Sequence, residues 1–118
     1  MIVIVDDDAS MNLAMKRLLD AAGFDAKTFS SGEELLRVGV SPVAACLVVD
    51  VRLPGLSGFE LVERLAERRS AVPVVFVTAH DEPGYREEAE KAGAIAYLPK
   101  PFEGRSLIDA VNRALDSV

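Results

Sequence analysis

The chain has 118 residues, 50% of them hydrophobic, with 13 Lys and Arg against 19 Asp and Glu for a formal net charge of −6. That length suits one domain with its own core, and the acidity argues against a surface for nucleic acid or an anionic membrane. A single cysteine makes no internal disulfide or Cys-based zinc site, no apolar run nears the ~18–20 residues of a membrane span, and no signal peptide follows Met1, so a cytoplasmic setting is expected.

The first element is the unbroken β-branched run Ile2–Val5, which predicts a strand buried on both faces and is followed at once by Asp6, Asp7 and Asp8. Met11, Ala14, Met15, Leu18 and Ala22 then recur at helical spacing, and Gly23 is a stop signal. Phe24 to Phe29 alternates as a half-covered strand does. Leu35, Leu36 and Val38 mark a short helix that Ser30 or Ser31 can cap. A second unbroken run, Cys46–Val49, ends on Asp50, and its lone cysteine reads as core. Phe59, Val62, Leu65 and Ala66 line a third helix. Val74–Val77 is a further buried strand, ending on Thr78. The stretch Gly84 to Ala92 has only Tyr85, Ala89 and Ala92 as apolar anchors among charges, which predicts a weakly held helix. Ile95–Leu98 is the last strand, followed by Lys100, and Leu107, Ile108, Val111, Ala114, Leu115 and Val118 line the last helix. The order is five βα units in one domain over residues 1–118. It predicts a parallel sheet with right-handed crossovers and helices on both faces.

In such a sheet the residues just past each strand collect along one edge, where ligand sites lie. That edge receives Asp6, Asp7 and Asp8, then Asp50, Thr78 and Lys100. Clustered carboxylates repel unless a cation joins them. An all-oxygen set without His or Cys suits a hard divalent ion, Mg²⁺ where phosphate is also bound. Carboxylates, a hydroxyl and an ammonium together fit a transferring phosphoryl group, and the nucleophile of choice is Asp50, alone at the end of a central strand.

Val5-Asp6-Asp7, Asp50, Thr78-Ala79, Tyr97 and Lys100-Pro101-Phe102, with the stretch from Leu53 to Leu61, resemble the response-regulator receiver domain of two-component signalling. The resemblance implies a flavodoxin-like (βα)₅ three-layer sandwich of strand order 2-1-3-4-5. It implies phosphorylation of Asp50 by a histidine kinase or histidine phosphotransfer protein. Mg²⁺ would lie on Asp6, Asp7, Asp50 and the backbone carbonyl of Arg52. Thr78 would bind the phosphoryl group and move towards it, Lys100 would pair with a phosphoryl oxygen, and the Lys100–Pro101 bond would be cis. Tyr97 corresponds to the aromatic switch residue, outward at rest and inward when Thr78 moves. Arg52 and His80 stand where side chains tune phosphate lifetime. The output surface would comprise the fourth helix, the last strand and the last helix, acting on an output domain or partner protein. The central loop and Lys-Pro-Phe resemble receivers that often precede helix-turn-helix transcription outputs, and dimerisation on activation stays open.

Bland readings compete at several positions. Asp8 is better explained as a helix cap, His80 as a solvated loop residue, and Met11 and Met15 as core. Two other functions set against the switch are a phosphatase resembling the haloacid dehalogenase family, with Asp6 of Asp6-x-Asp8 as nucleophile, and a flavin-carrying electron-transfer domain. The first leaves Asp50 unexplained, and the second lacks a phosphate-cradling loop after the first strand.

Overall fold

The computed structural model describes residues 1–116. Val118, expected on the last helix, lies outside the described residues. Five strands, β1 (Ile2–Val5), β2 (Ala26–Phe29), β3 (Cys46–Asp50), β4 (Val74–Thr78) and β5 (Ala96–Pro99), alternate with five helices, α1 (Ala9–Ala21), α2 (Gly32–Val38), α3 (Gly58–Glu67), α4 (Tyr85–Lys91) and α5 (Gly104–Asp116). Every strand pairing is parallel, in the order β2-β1-β3-β4-β5.

Side chains alternate along each strand, so the unbroken apolar runs supply two cores. Val3, Val5, Leu47, Val49 and Phe76 face one way, against Leu35 of α2, Leu61 and Leu65 of α3 and Ala89 of α4. Ile2, Ile4, Cys46, Val48, Val75 and Val77 face the other way, against Met15 and Leu19 of α1 and Leu107 and Val111 of α5. Each such aliphatic, removed wholly from water, contributes roughly 1.5–3 kcal/mol before the entropy of ordering is subtracted. Cys46 is core as expected, and its thiol is pushed up to about 12 by burial.

Some helix faces differ from the periodic reading. In α1, Ala14 is exposed, as is Ala22 just past its end, whereas Leu19 is buried and Asn12 joins the buried side beside Met15. Alanines match either face of an amphipathic helix, so they do not fix its phase. In α3 Leu61 is buried together with Leu65, and Ala66 is exposed. Strand β2 starts at Ala26, two residues after Phe24. The caps are clear. Asp8 accepts from the Ser10 and Met11 amides, and Ser31 accepts from the Glu34 amide. Ser57 and Glu60 form a reciprocal capping box that starts α3 directly behind the end of β3. As the sparse anchors of its sequence predict, α4 buries only Ala89 fully.

Candidate functional site

Strand order reverses between β1 and β3, and the crevice at their carboxyl ends is where an open α/β sheet offers a site. Register brings Val5 beside Val49, and the next residues are Asp6 and Asp50. Both carboxylates are pulled into the protein, with Asp6 fully buried and Asp50 only 5% exposed. Carboxylate oxygens of Asp6, Asp7 and Asp50 lie within 4.8 Å of one another. From the end of β5, Lys100 Nζ donates to Asp6 Oδ2 at 2.7 Å and to Asp50 Oδ2 at 3.1 Å. The Lys100–Pro101 peptide bond is cis.

The other oxygens of the pair are also engaged. Asp6 Oδ1 accepts from the Asp8 amide and Asp50 Oδ1 from the Arg52 amide, both at 2.9 Å. Burial pushes the Asp50 carboxyl above the usual range, and the Asp6 charge adds to this, while the Arg52 amide and Lys100 work against it. Burial alone would push Lys100 down, but its bond to Asp6 and the charges of Asp50 and Asp6 outweigh that, so it stays ammonium. Three carboxylates and one ammonium leave an excess of negative charge in a cleft of about 440 Å³ that Arg52 and His80 also line. All donors are hard oxygens, a set that fits a hard divalent cation and no soft one.

Thr78 ends β4 and is fully buried. Its hydroxyl donates to the His80 carbonyl and accepts from the His80 amide, each at 3.1 Å, so it is turned to its own loop. His80 is exposed. The phosphatase reading needs Asp6 as an accessible nucleophile. Here Asp6 is the more deeply buried of the two carboxylates, and it is Asp50 that ends the central strand.

A family model for the response regulator receiver domain matches residues 2–112. The chain belongs to that family. Nodulation protein W of Bradyrhizobium diazoefficiens is 37% identical over 115 residues, covering 98% of this chain and 51% of that protein. A receiver protein from Burkholderia phymatum of known structure is 47% identical, with a TM-score of 0.85 over 98% of this chain and 94% of its own. The BeF3-activated receiver domain of DrrB is 30% identical, with a TM-score of 0.86 over 98% of this chain and 96% of its own. The chain spans about half the length of curated relatives such as nodulation protein W. This receiver is therefore a signalling module of two-component response regulators. Among the described residues no helix is long and apolar enough to cross a membrane.

Two contacts of the receiver's β4–α4 loop were not legible in the sequence. Tyr97 is packed inward, 9% exposed, although Thr78 stays bonded to its own loop, so the outward resting position that the resemblance implies is not the one adopted. Its hydroxyl donates to Asp81 Oδ1 at 2.8 Å. The Arg86 guanidinium lies 4.8 Å from the Tyr97 ring centroid, a cation–π distance. Arg52, beside the cleft, reaches Glu82 of the same loop at 2.9 Å. Both partners of that ion pair are about half exposed, so it contributes little to stability. The only signal for either contact was an acidic pair, Asp81-Glu82, before Pro83-Gly84.

The Tyr97 phenol is pushed up to about 12, by burial first and then by its bond to Asp81 and that carboxylate's charge. A folded value above the unfolded one means that Tyr97 stabilises fully below the unfolded value near 10, and that this is lost as pH rises towards 12. In a phenolate absorbance titration, with Tyr97→Phe identifying the band, Asp81→Asn is expected to lower the Tyr97 midpoint. An unchanged midpoint would show that Asp81 does not grip this ring.

Proposed function

We propose that residues 1–118 act as one receiver unit, a phosphorylation switch in which Asp50 accepts a phosphoryl group from a phosphohistidine. The donor would be a histidine kinase or histidine phosphotransfer protein, in the cytoplasm. One observation carries this reading: a carboxylate at the end of the central strand shares its site with two further carboxylates and a lysine. Asp6, Asp7, Asp50 and the Arg52 carbonyl would hold Mg²⁺, which when bound neutralises charge on the phosphoryl oxygens.

In the transfer, an Asp50 oxygen forms a bond to phosphorus as the bond from phosphorus to the imidazole nitrogen breaks. The electron pair leaves on the imidazole, and the product is an acyl phosphate at Asp50. Lys100 is already on Asp50 and needs little movement to meet a phosphoryl oxygen. Thr78 must exchange its loop bonds for the new anion, which adds ~1.5–2 negative charges at neutral pH. Reversing a 1:99 equilibrium takes ~5.5 kcal/mol of preference between states, the scale of a few charge-assisted hydrogen bonds. Arg52 has a choice between Glu82 and that anion, so together with His80 it is assigned to phosphate lifetime. The Asp81–Tyr97 bond ties the loop carrying these changes to the α4-β5-α5 face, assigned here to an output domain or a partner protein. That the receiver relays a state, without turning over a diffusible substrate or touching DNA itself, belongs to the same proposal. The BeF3-activated form of the DrrB relative supports it, because beryllofluoride imitates a phosphoryl group on a carboxylate.

The test is incubation with acetyl phosphate or phosphoramidate and Mg²⁺, followed by intact mass. One added phosphoryl group is expected on the wild type and none on Asp50→Asn or with EDTA. Labelling that survives in Asp50→Asn but disappears in Asp6→Asn would refute the proposal in favour of a phosphatase-type nucleophile.

A further inference from the structure

We propose that Asn12 is a positioning residue for the metal-binding carboxylates, a role that rests on the Mg²⁺ site proposed above. Asn12 lies in the first turns of α1, where that helix passes over the carboxyl ends of β1 and β2, and it is 8% exposed. Its Nδ2 donates to two backbone carbonyls, Asp6 at 2.7 Å and Phe29 at 3.1 Å. The Phe29 carbonyl also accepts from the Asp6 amide at 3.1 Å, so the asparagine closes the end of the β1–β2 ladder. With two acceptors in front of it, the amide can present only its nitrogen there.

The same side chain carries a cost. Among the described residues Asn12 Oδ1 is buried without a hydrogen-bond partner, an uncompensated loss of hydration. Core packing alone would be better served by an apolar side chain. What the asparagine adds is the pair of bonds from Nδ2.

Those bonds hold the peptide that joins Asp6 to Asp7. The Asp6 carboxylate is already fixed by the Asp8 amide and Lys100, and Asp50 by the Arg52 amide and Lys100. Asp7 is exposed, and among the described residues no hydrogen bond or ion pair restrains its carboxylate. Its direction is set by the plane of the preceding peptide, whose oxygen Asn12 grips. Release of that oxygen lets the plane turn and carries the Asp7 carboxylate out of reach of the other two.

The test is calorimetric Mg²⁺ titration of the full chain as wild type, Asn12→Ala and Val111→Ala, with the melting temperature of each taken in EDTA. Val111 is fully buried on α5 in the core beneath the sheet and supplies a destabilised control without a polar role. Asn12→Ala is expected to weaken Mg²⁺ binding at least ~10-fold, as loss of an outer-shell partner of metal ligands does, while Val111→Ala leaves it near wild type. Unchanged affinity in Asn12→Ala overturns the proposal, and so does an equal loss in both variants, which would mean that affinity only follows stability. If Asn12→Ala does not fold, Asn12→Ser is judged by the same criteria. A wild type that does not bind Mg²⁺ would instead overturn the metal site itself.

Discussion

Lys100→Met is expected to lower the unfolding free energy in EDTA at neutral pH by about 3 kcal/mol, the scale for removing one partner of a buried ion pair. The lysine side chain is 10% exposed and sits between Asp6, which is fully enclosed, and Asp50. Without it, two carboxylates face each other with little water to screen them. The cheapest relief is a proton, and Asp50 is the group to take it, because its carboxyl is already held above the usual range. The sign follows. A carboxyl whose folded value is raised penalises the fold when ionised, and the penalty fades as pH falls through that raised value. The deficit of Lys100→Met should therefore shrink on acidification, and Mg²⁺ should recover part of it at neutral pH by replacing the lost positive charge. Urea unfolding of both proteins, with EDTA and with Mg²⁺ across pH 4.5–8, checks this. Equal stability in EDTA at pH 7 would mean that the lysine does not hold the cluster together.

Gly58→Ala should damage the site without altering any of its side chains. Gly58 is the first residue of α3, and its amide donates to the Val51 carbonyl at 2.8 Å. A Cβ there would collide with the Asp50 carbonyl oxygen and stand 2.9 Å from Val51 Cα and 3.0 Å from the Asp50 carbonyl carbon. All three neighbours are backbone, so no side chain can swing aside. Either α3 lifts from the end of β3 or the main chain under Asp50 shifts. Overpacking of this kind costs ~1–3 kcal/mol, and a displacement near 1 Å at a reacting group slows transfer by up to ~10²-fold. Thermal unfolding and the rate of labelling by phosphoramidate should both fall. A variant that keeps the wild-type melting temperature and rate would contradict this contact.

The edge that carries the site was legible because strand and chemistry change at the same residues. Ile2–Val5 breaks into Asp6 and Asp7, Cys46–Val49 into Asp50, Val74–Val77 into Thr78, and β5 is followed by Lys100. Unbroken apolar runs need cover on both faces, which fixes a parallel sheet, and a parallel sheet sends all those ends one way. What was not legible has no periodic signal. Arg52 meets Glu82 across 30 residues and Tyr97 meets Asp81 across 16, through the shape of one loop. Asn12 is not singled out by apolar residues marking the buried side of α1, because there the helix covers two carbonyls as well as aliphatic core. Gly58 carries no periodic signal of its own, and its role depends on the main chain packed behind it.

The most direct measurement is chemical trapping of the phosphorylated residue. Borohydride reduces an acyl phosphate to an alcohol and leaves free carboxylates intact, so peptide mass mapping after treatment with phosphoramidate, Mg²⁺ and borohydride identifies the acceptor. Reduction at Asp50 alone is the predicted result, and reduction at Asp6, or at no aspartate under conditions that label the chain, would contradict it.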